Sequence, residues 1–181
     1  MRTSTSRLPL AAVLGVVLAS CLAPEPLLNS ERIEQTFGSY GIEILESDGS
    51  VRVSNLYSLE GDQRICRTFA VVRYPTEIDP LFAAEHELIL GGQSIGAVFV
   101  QNGWIVNKSH RYFGEVSTTR RAAELMGGVE VPRLAMHIYV LEVVKGGAAF
   151  EYATIAEIHH PDYLTLDDLQ SIYEKTGSDT D

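Results

Sequence analysis

The feature that most constrains this chain is a pair of long apolar runs, Leu134 to Lys145 and Ala148 to His159, separated only by Gly146-Gly147. Both runs are rich in Val, Ile, Tyr and Ala, and a Gly pair supplies the positive φ of a tight reversal, so the segment reads as one long β-hairpin. Earlier segments extend the theme. Gly41 to Glu46 and Val51 to Leu59 flank the turn Ser47-Asp48-Gly49-Ser50, Ile65 to Tyr74 is a third β-branched and aromatic run, and Trp104 to Val116 a further one. Shorter helical patterns lie between and around them. Ser30 is placed to cap a helix carrying Ile33 and Phe37 that Gly38 ends; Leu81 to Leu90 and Ser94 to Asn102 are divided by Gly91-Gly92; Thr119 to Met126 stops at Gly127-Gly128. Thr165 with Asp168 forms a capping box, stapled by Leu164 and Leu169, and opens a last helix. Strands in consecutive antiparallel runs with only occasional helices predict an α+β fold, a single antiparallel sheet with helices packed on one side.

Composition sets the scale. The chain has 181 residues, 45% apolar and 21% charged, which fits one globular domain and excludes wholesale disorder or a disulfide scaffold. Its formal net charge of -10, with no basic run after residue 7, argues against a nucleic-acid partner, because neutralising phosphates needs clustered Lys and Arg.

The N-terminus reads as an address. Arg2 and Arg7 precede the apolar run Leu8 to Leu18, which is too short to span a bilayer. It ends in Leu18-Ala19-Ser20-Cys21, small residues before a thiol, and this resembles the lipobox of bacterial lipoproteins. The resemblance implies cleavage before Cys21 and acylation of its thiol, with chains such as palmitate as the membrane anchor. The expected organisation is a signal peptide over 1–20, a Pro-containing tether over 21–28, a domain over 29–175 and a tail over 176–181. Leu22 follows the Cys where enteric sorting to the inner membrane uses Asp, so the expected address is the outer membrane facing the periplasm, with the inner membrane as the alternative. Cys66 is then without a disulfide partner. It alternates with Thr68, Ala70 and Val72 on one face of a strand, the pattern of a buried, inert thiol.

Neither a metal nor a cofactor is indicated. Gly91-Gly92-Gln93-Ser94-Ile95-Gly96 lacks the Lys and the spacing of a phosphate cradle, and neither His159-His160 nor Glu85-His86-Glu87 has a ligand spacing for metal.

Arg52 in a strand, Cys66-Arg67-Thr68 in the next, the segment Gly92-Gln93-Ser94-Ile95-Gly96 with Phe99, and Glu157 with Pro161 near the end together resemble chorismate lyase, whose fold the ligand-binding domains of GntR-type regulators share. Ala156 stands where that family has Thr. The resemblance implies ligand contacts at Arg52, Arg67 and Glu157, with Arg67 mainly structural, and in an enzyme Glu157 and Arg52 as the catalytic pair. Read as residues, Arg52 offers a guanidinium fork for a carboxylate, and Glu157, enclosed in an apolar pocket, would have a raised pKa suited to proton donation; a plain cross-sheet ion pair, or two solvated strand residues, is the alternative. Three functions are open: a lipid-anchored periplasmic protein binding a small carboxylate, aromatic acids included; a lyase releasing pyruvate from chorismate or a similar enol ether; and a non-enzymatic envelope protein that uses the domain as an interaction surface.

Overall fold

The computed structural model describes residues 27–174. The expected signal peptide, most of the tether, the Cys21 acylation site and the tail lie outside these residues. Six strands form one antiparallel sheet: β1 (Gly41–Ser47), β2 (Val51–Glu60), β3 (Gln63–Arg73), β4 (Ile105–Ser117), β5 (Arg133–Lys145) and β6 (Ala148–His159). Their spatial order is β1-β2-β3-β6-β5-β4. The first three strands are a meander. The last three return so that the final strand inserts beside β3, making β3 and β6 the centre and leaving β1 and β4 as edges.

The expected long hairpin is β5 and β6, turning at Gly146 and Gly147 with φ of 61° and 83°. Helices α1 (Asn29–Phe37), α2 (Ala83–Leu90), α3 (Ile95–Gln101) and α5 (Leu166–Glu174) pack on one face of the sheet, while the short α4 (Arg120–Leu125) covers a corner of the other with Cys66, Leu134 and Phe69. A 3-10 turn at Pro80–Phe82 leads into α2. Helix α1 begins one residue before the expected cap. Its N-cap position is Leu28, whose N–H donates to the Glu31 carboxylate at 2.9 Å, and this places Asn29 and Ser30 in the first turn. Gly38 closes the helix in the left-handed conformation, as expected. At α5 the Asp168 N–H donates to Thr165 Oγ1 at 3.2 Å and the Thr165 N–H returns a bond to Asp168 at 2.9 Å. Leu164 and Leu169 meet in the core beneath, so the box and the staple are both formed.

Four β-bulges interrupt the sheet, the first at Leu45 of β1. Leu56 pairs with Thr68 but Tyr57 with Cys66, so Arg67 is an extra residue in β3; Arg111 in β4 and Tyr152 in β6 are extra in the same way. An inserted residue reverses the side-chain alternation beyond it. This corrects the expected position of Cys66, which does not share a face with Thr68, Ala70 and Val72 but packs with Ala122 and Met126 on the opposite side. The thiol is nonetheless fully buried, and that burial pushes its pKa up to about 12, which keeps it inert.

Candidate functional site

Register determines which side chains share the helical face. Arg52, Val72, Ile155 and Tyr139 lie opposite one another across β2, β3, β6 and β5, and the next row holds Ser54, Ala70, Glu157 and His137. Arg52 and Glu157 therefore stand two strands and one row apart on one surface, a Cα separation of about 12 Å from ordinary sheet spacings. Both border the same cavity. Its floor is Leu56, Val72, Leu141 and Ile155, and its roof comes from Leu28, Asn29 and Ser30 of the α1 start and Ser94, Ile95 and Gly96 of the α3 start. Gly96 is needed where it stands, since a Cβ there would come within 2.8 Å of the Leu28 side chain. The cavity measures about 70 Å³, against about 150 Å³ for a cavity that admits a benzene ring.

Arg52 is 2% exposed. Its Nε donates to Ser54 Oγ at 2.9 Å, and Nη1 donates to the carbonyls of Ile89 at 2.9 Å and Gln93 at 3.0 Å. The guanidinium thus ties the C-terminal end of α2 and the following loop to β2, where exposed helix carbonyls favour a cation. No carboxylate among the described residues pairs with it. The fully open fork expected from sequence is corrected accordingly: three N–H groups are already committed, and Nη2 carries the remaining two.

Glu157 is 4% exposed. Oε1 accepts from Asn29 Nδ2 at 3.1 Å and from the Tyr139 hydroxyl at 3.2 Å, while Oε2 stands 4.0 Å from Lys108 Nζ and 4.0 Å from His159 Nε2. Burial works to raise the carboxyl pKa, but Lys108 foremost, with the flanking histidines and the Asn29 amide, outweighs it and leaves it below the usual range. The expectation of a raised pKa and a protonated acid is thereby overturned. Lys108 shows the reciprocal balance. Burial alone would strip its proton, yet Glu157 and the Tyr173 hydroxyl, which accepts from Nζ at 3.3 Å, hold its pKa above normal. The ammonium also lies 4.5 Å from the Tyr139 ring centroid.

Arg67 is not brought to the cavity. As the bulged residue of β3 it turns toward the far end of the β2–β3 hairpin, where Nε donates to Ser58 Oγ at 2.8 Å, Nη2 pairs with Glu60 and the guanidinium covers the Phe37 ring. Its expected ligand-binding role has no geometric basis, and its expected structural role does. Lys108 is the residue that sequence reasoning missed. It sits in an unremarkable polar stretch of β4, and only the β4–β5 register, Lys108 opposite Leu141, puts it on the helical face. Glu85 and His86 are occupied elsewhere, accepting from Trp104 Nε1 at 2.9 Å and pairing with the Tyr152 hydroxyl at 2.8 Å.

Comparison with protein-family models and with curated proteins finds no match for this chain.

Proposed function

We propose that the chain is a lipid-anchored protein, acylated at Cys21 and facing the periplasm from the outer membrane, whose domain binds a small carboxylate in the cavity between Arg52 and Glu157. The observation that carries the ligand reading is a charge imbalance. Lys108 and Glu157 neutralise each other, and Arg52 is a buried cation with neutral partners only; the cavity therefore holds one positive charge that a monoanion would complete. Apolar walls of Leu56, Val72, Leu141 and Ile155 suit a short hydrocarbon body. The volume favours a compact aliphatic acid, and an aromatic acid would need Leu28 to swing away from Gly96. Binding is favoured over a lyase reaction because Glu157, ionised against Lys108, is a poor proton donor.

A thermal-shift screen of the full chain in detergent against acetate, propanoate, lactate and benzoate tests this reading. A carboxylate that binds the native state raises the melting temperature by mass action, and the corresponding amides leave it unchanged. Equal shifts with acid and amide, or none with any, reject it. Incubation with chorismate is expected to release no pyruvate above a Glu157→Ala control. For the anchor, labelled palmitate should be incorporated by the native chain and not by Cys21→Ser.

A further inference from the structure

The face of the sheet turned away from α1, α2, α3 and α5 is apolar where no described helix covers it. Strand β5 shows this in sequence. His137, Tyr139, Leu141 and Val143 are buried on the helical face, and the residues between them, Met136, Ile138, Val140 and Val144 with Glu142, point the other way and are half-buried. A strand with one wet face alternates apolar and polar residues, whereas a strand covered on both faces reads as a near-continuous apolar run. Register extends the feature across the sheet. Val53, Val71, Ala156, Ile138 and Tyr112 stand opposite one another in a single row from β2 to β4. Helix α4 reaches this side only at the corner with Phe69, Ile158 and Val116; Val71, Ile138 and Val140 lie on inner strands and join none of the three cores.

The charges on this face select the occupant. Glu142 lies directly opposite Glu151, and Arg111 pairs with Glu151 at 3.8 Å. Among the described residues neither Glu142 nor Arg73 makes an ion pair. They flank β6 on opposite sides: Arg73 of β3 and Val140 of β5 both pair with Thr154, and Glu142 is the next residue after Val140 on the same face, about 7 Å along the strand. A two-fold axis parallel to β6, between two copies packed face to face, exchanges the two flanks. It sets Arg73 of each copy beside Glu142 of the other, lays Val71 over Ile138, and brings Ala156 against itself, where a small side chain allows close approach. The area suffices. The face measures about 24 Å across the strands and about 27 Å from Met136 to Val144, roughly 650 Å² before side-chain relief, against about 600–1,000 Å² per partner in a standard interface. Charge agrees as well, for the chain carries a net charge of -10 that would make two copies repel, yet here Arg73 and Arg111 balance Glu142 and Glu151. We propose that the chain forms a two-fold homodimer through this uncovered face, with Val71, Ala156 and Ile138 at its centre and reciprocal Arg73–Glu142 ion pairs on either side of the axis.

Sedimentation velocity of the full chain, in enough detergent to place separate chains in separate micelles, tests this. The native chain should sediment as a dimer, and Ile138→Glu as a monomer with a native circular dichroism spectrum. The charge reversals keep the test independent of that apolar substitution, because Arg73 and Glu142 hold no ion pair in the monomer. Arg73→Glu and Glu142→Arg should each weaken dimerisation by about tenfold or more, and the double variant Arg73→Glu with Glu142→Arg should restore it. A native chain that stays monomeric at every concentration overturns the proposal, whether or not it attaches to lipid vesicles or to another protein by this face. A dimer that survives Ile138→Glu and both single reversals overturns it too, as does a double reversal that associates no better than the single ones.

Discussion

The helical face of the sheet carries two regions that solve burial in opposite ways. At one end, Phe82, Phe99, Trp104, Phe150 and Tyr152 stack edge to face, with Phe99 and Tyr152 ring centroids 4.7 Å apart and Phe82 and Trp104 at 6.0 Å, and the polar tips of Trp104 and Tyr152 both have partners. At the other end, His137, Glu157 and His159 are buried, and Lys108 and His110 half-buried, among tyrosines, and His137 Nδ1 and His159 Nε2 have no hydrogen-bond partner. The first region buries apolar area and, the Tyr74 hydroxyl aside, pairs its polar atoms, which is what stability requires. The second buries ionic and imidazole groups at a cost, and such arrangements cluster where a ligand completes them. A fold that needed only stability would gain by replacing the second region with more of the first.

The largest expected effect lies in the aromatic region. Phe99→Ala should cost about 3–5 kcal/mol in urea unfolding and leave the relative affinities of ligands untouched. Next is the buried pair. Lys108→Met strands Glu157 in a dry site and should cost about 3 kcal/mol, whereas Lys108→Met combined with Glu157→Gln should recover most of that loss without restoring the native polar lining of the cavity, or the binding that depends on it. Recovery of stability without recovery of binding would separate the two regions cleanly; recovery of both would merge them.

Acid should act on the polar region first. Burial depresses His137 to about 3 and His159 to about 4, and His86, His110 and His160 are lowered as well. Their unfolded values lie near 6.5, so below that pH the unfolded chain takes up protons that the folded chain refuses, and stability falls as the pH drops from about 6.5 toward 4. Glu157, depressed in the fold, adds a further loss as the pH falls below the ordinary carboxylate range. The melting temperature should therefore decline well above pH 4.5, and His137→Phe should flatten that decline by about one proton. The smallest effect is expected outside both regions: Thr165→Ala removes the α5 cap at a cost of about 1 kcal/mol and leaves binding unchanged.

The fold was largely legible because its signals are local. Gly146-Gly147 between two β-branched runs, Gly38 after Phe37, and Thr165 with Asp168 each specify an element through their own backbone chemistry. The bulges at Arg67, Arg111 and Tyr152 were not legible, since an inserted residue is defined by pairing with a neighbouring strand, and Cys66 was assigned to the wrong face for that reason. The site divides in the same way. Arg52 and Glu157 could be named, and the register brings them to one cavity; Lys108 could not, because nothing within β4 distinguishes it from a solvated lysine. The carboxyl pKa followed from that omission, for without Lys108 an enclosed Glu157 reads as a protonated acid.

The most direct test of the central claim is methyl NMR of the full chain in detergent, with Ile, Leu and Val labelled, titrated with lactate and separately with lactamide. The account predicts saturable shifts with lactate confined to Leu28, Ile42, Leu56, Val72, Ile95, Leu141 and Ile155 around the cavity, and none with the uncharged amide. Equal responses to acid and amide, or shifts that avoid these methyls, would contradict a cavity whose unpaired Arg52 charge is held for an anion.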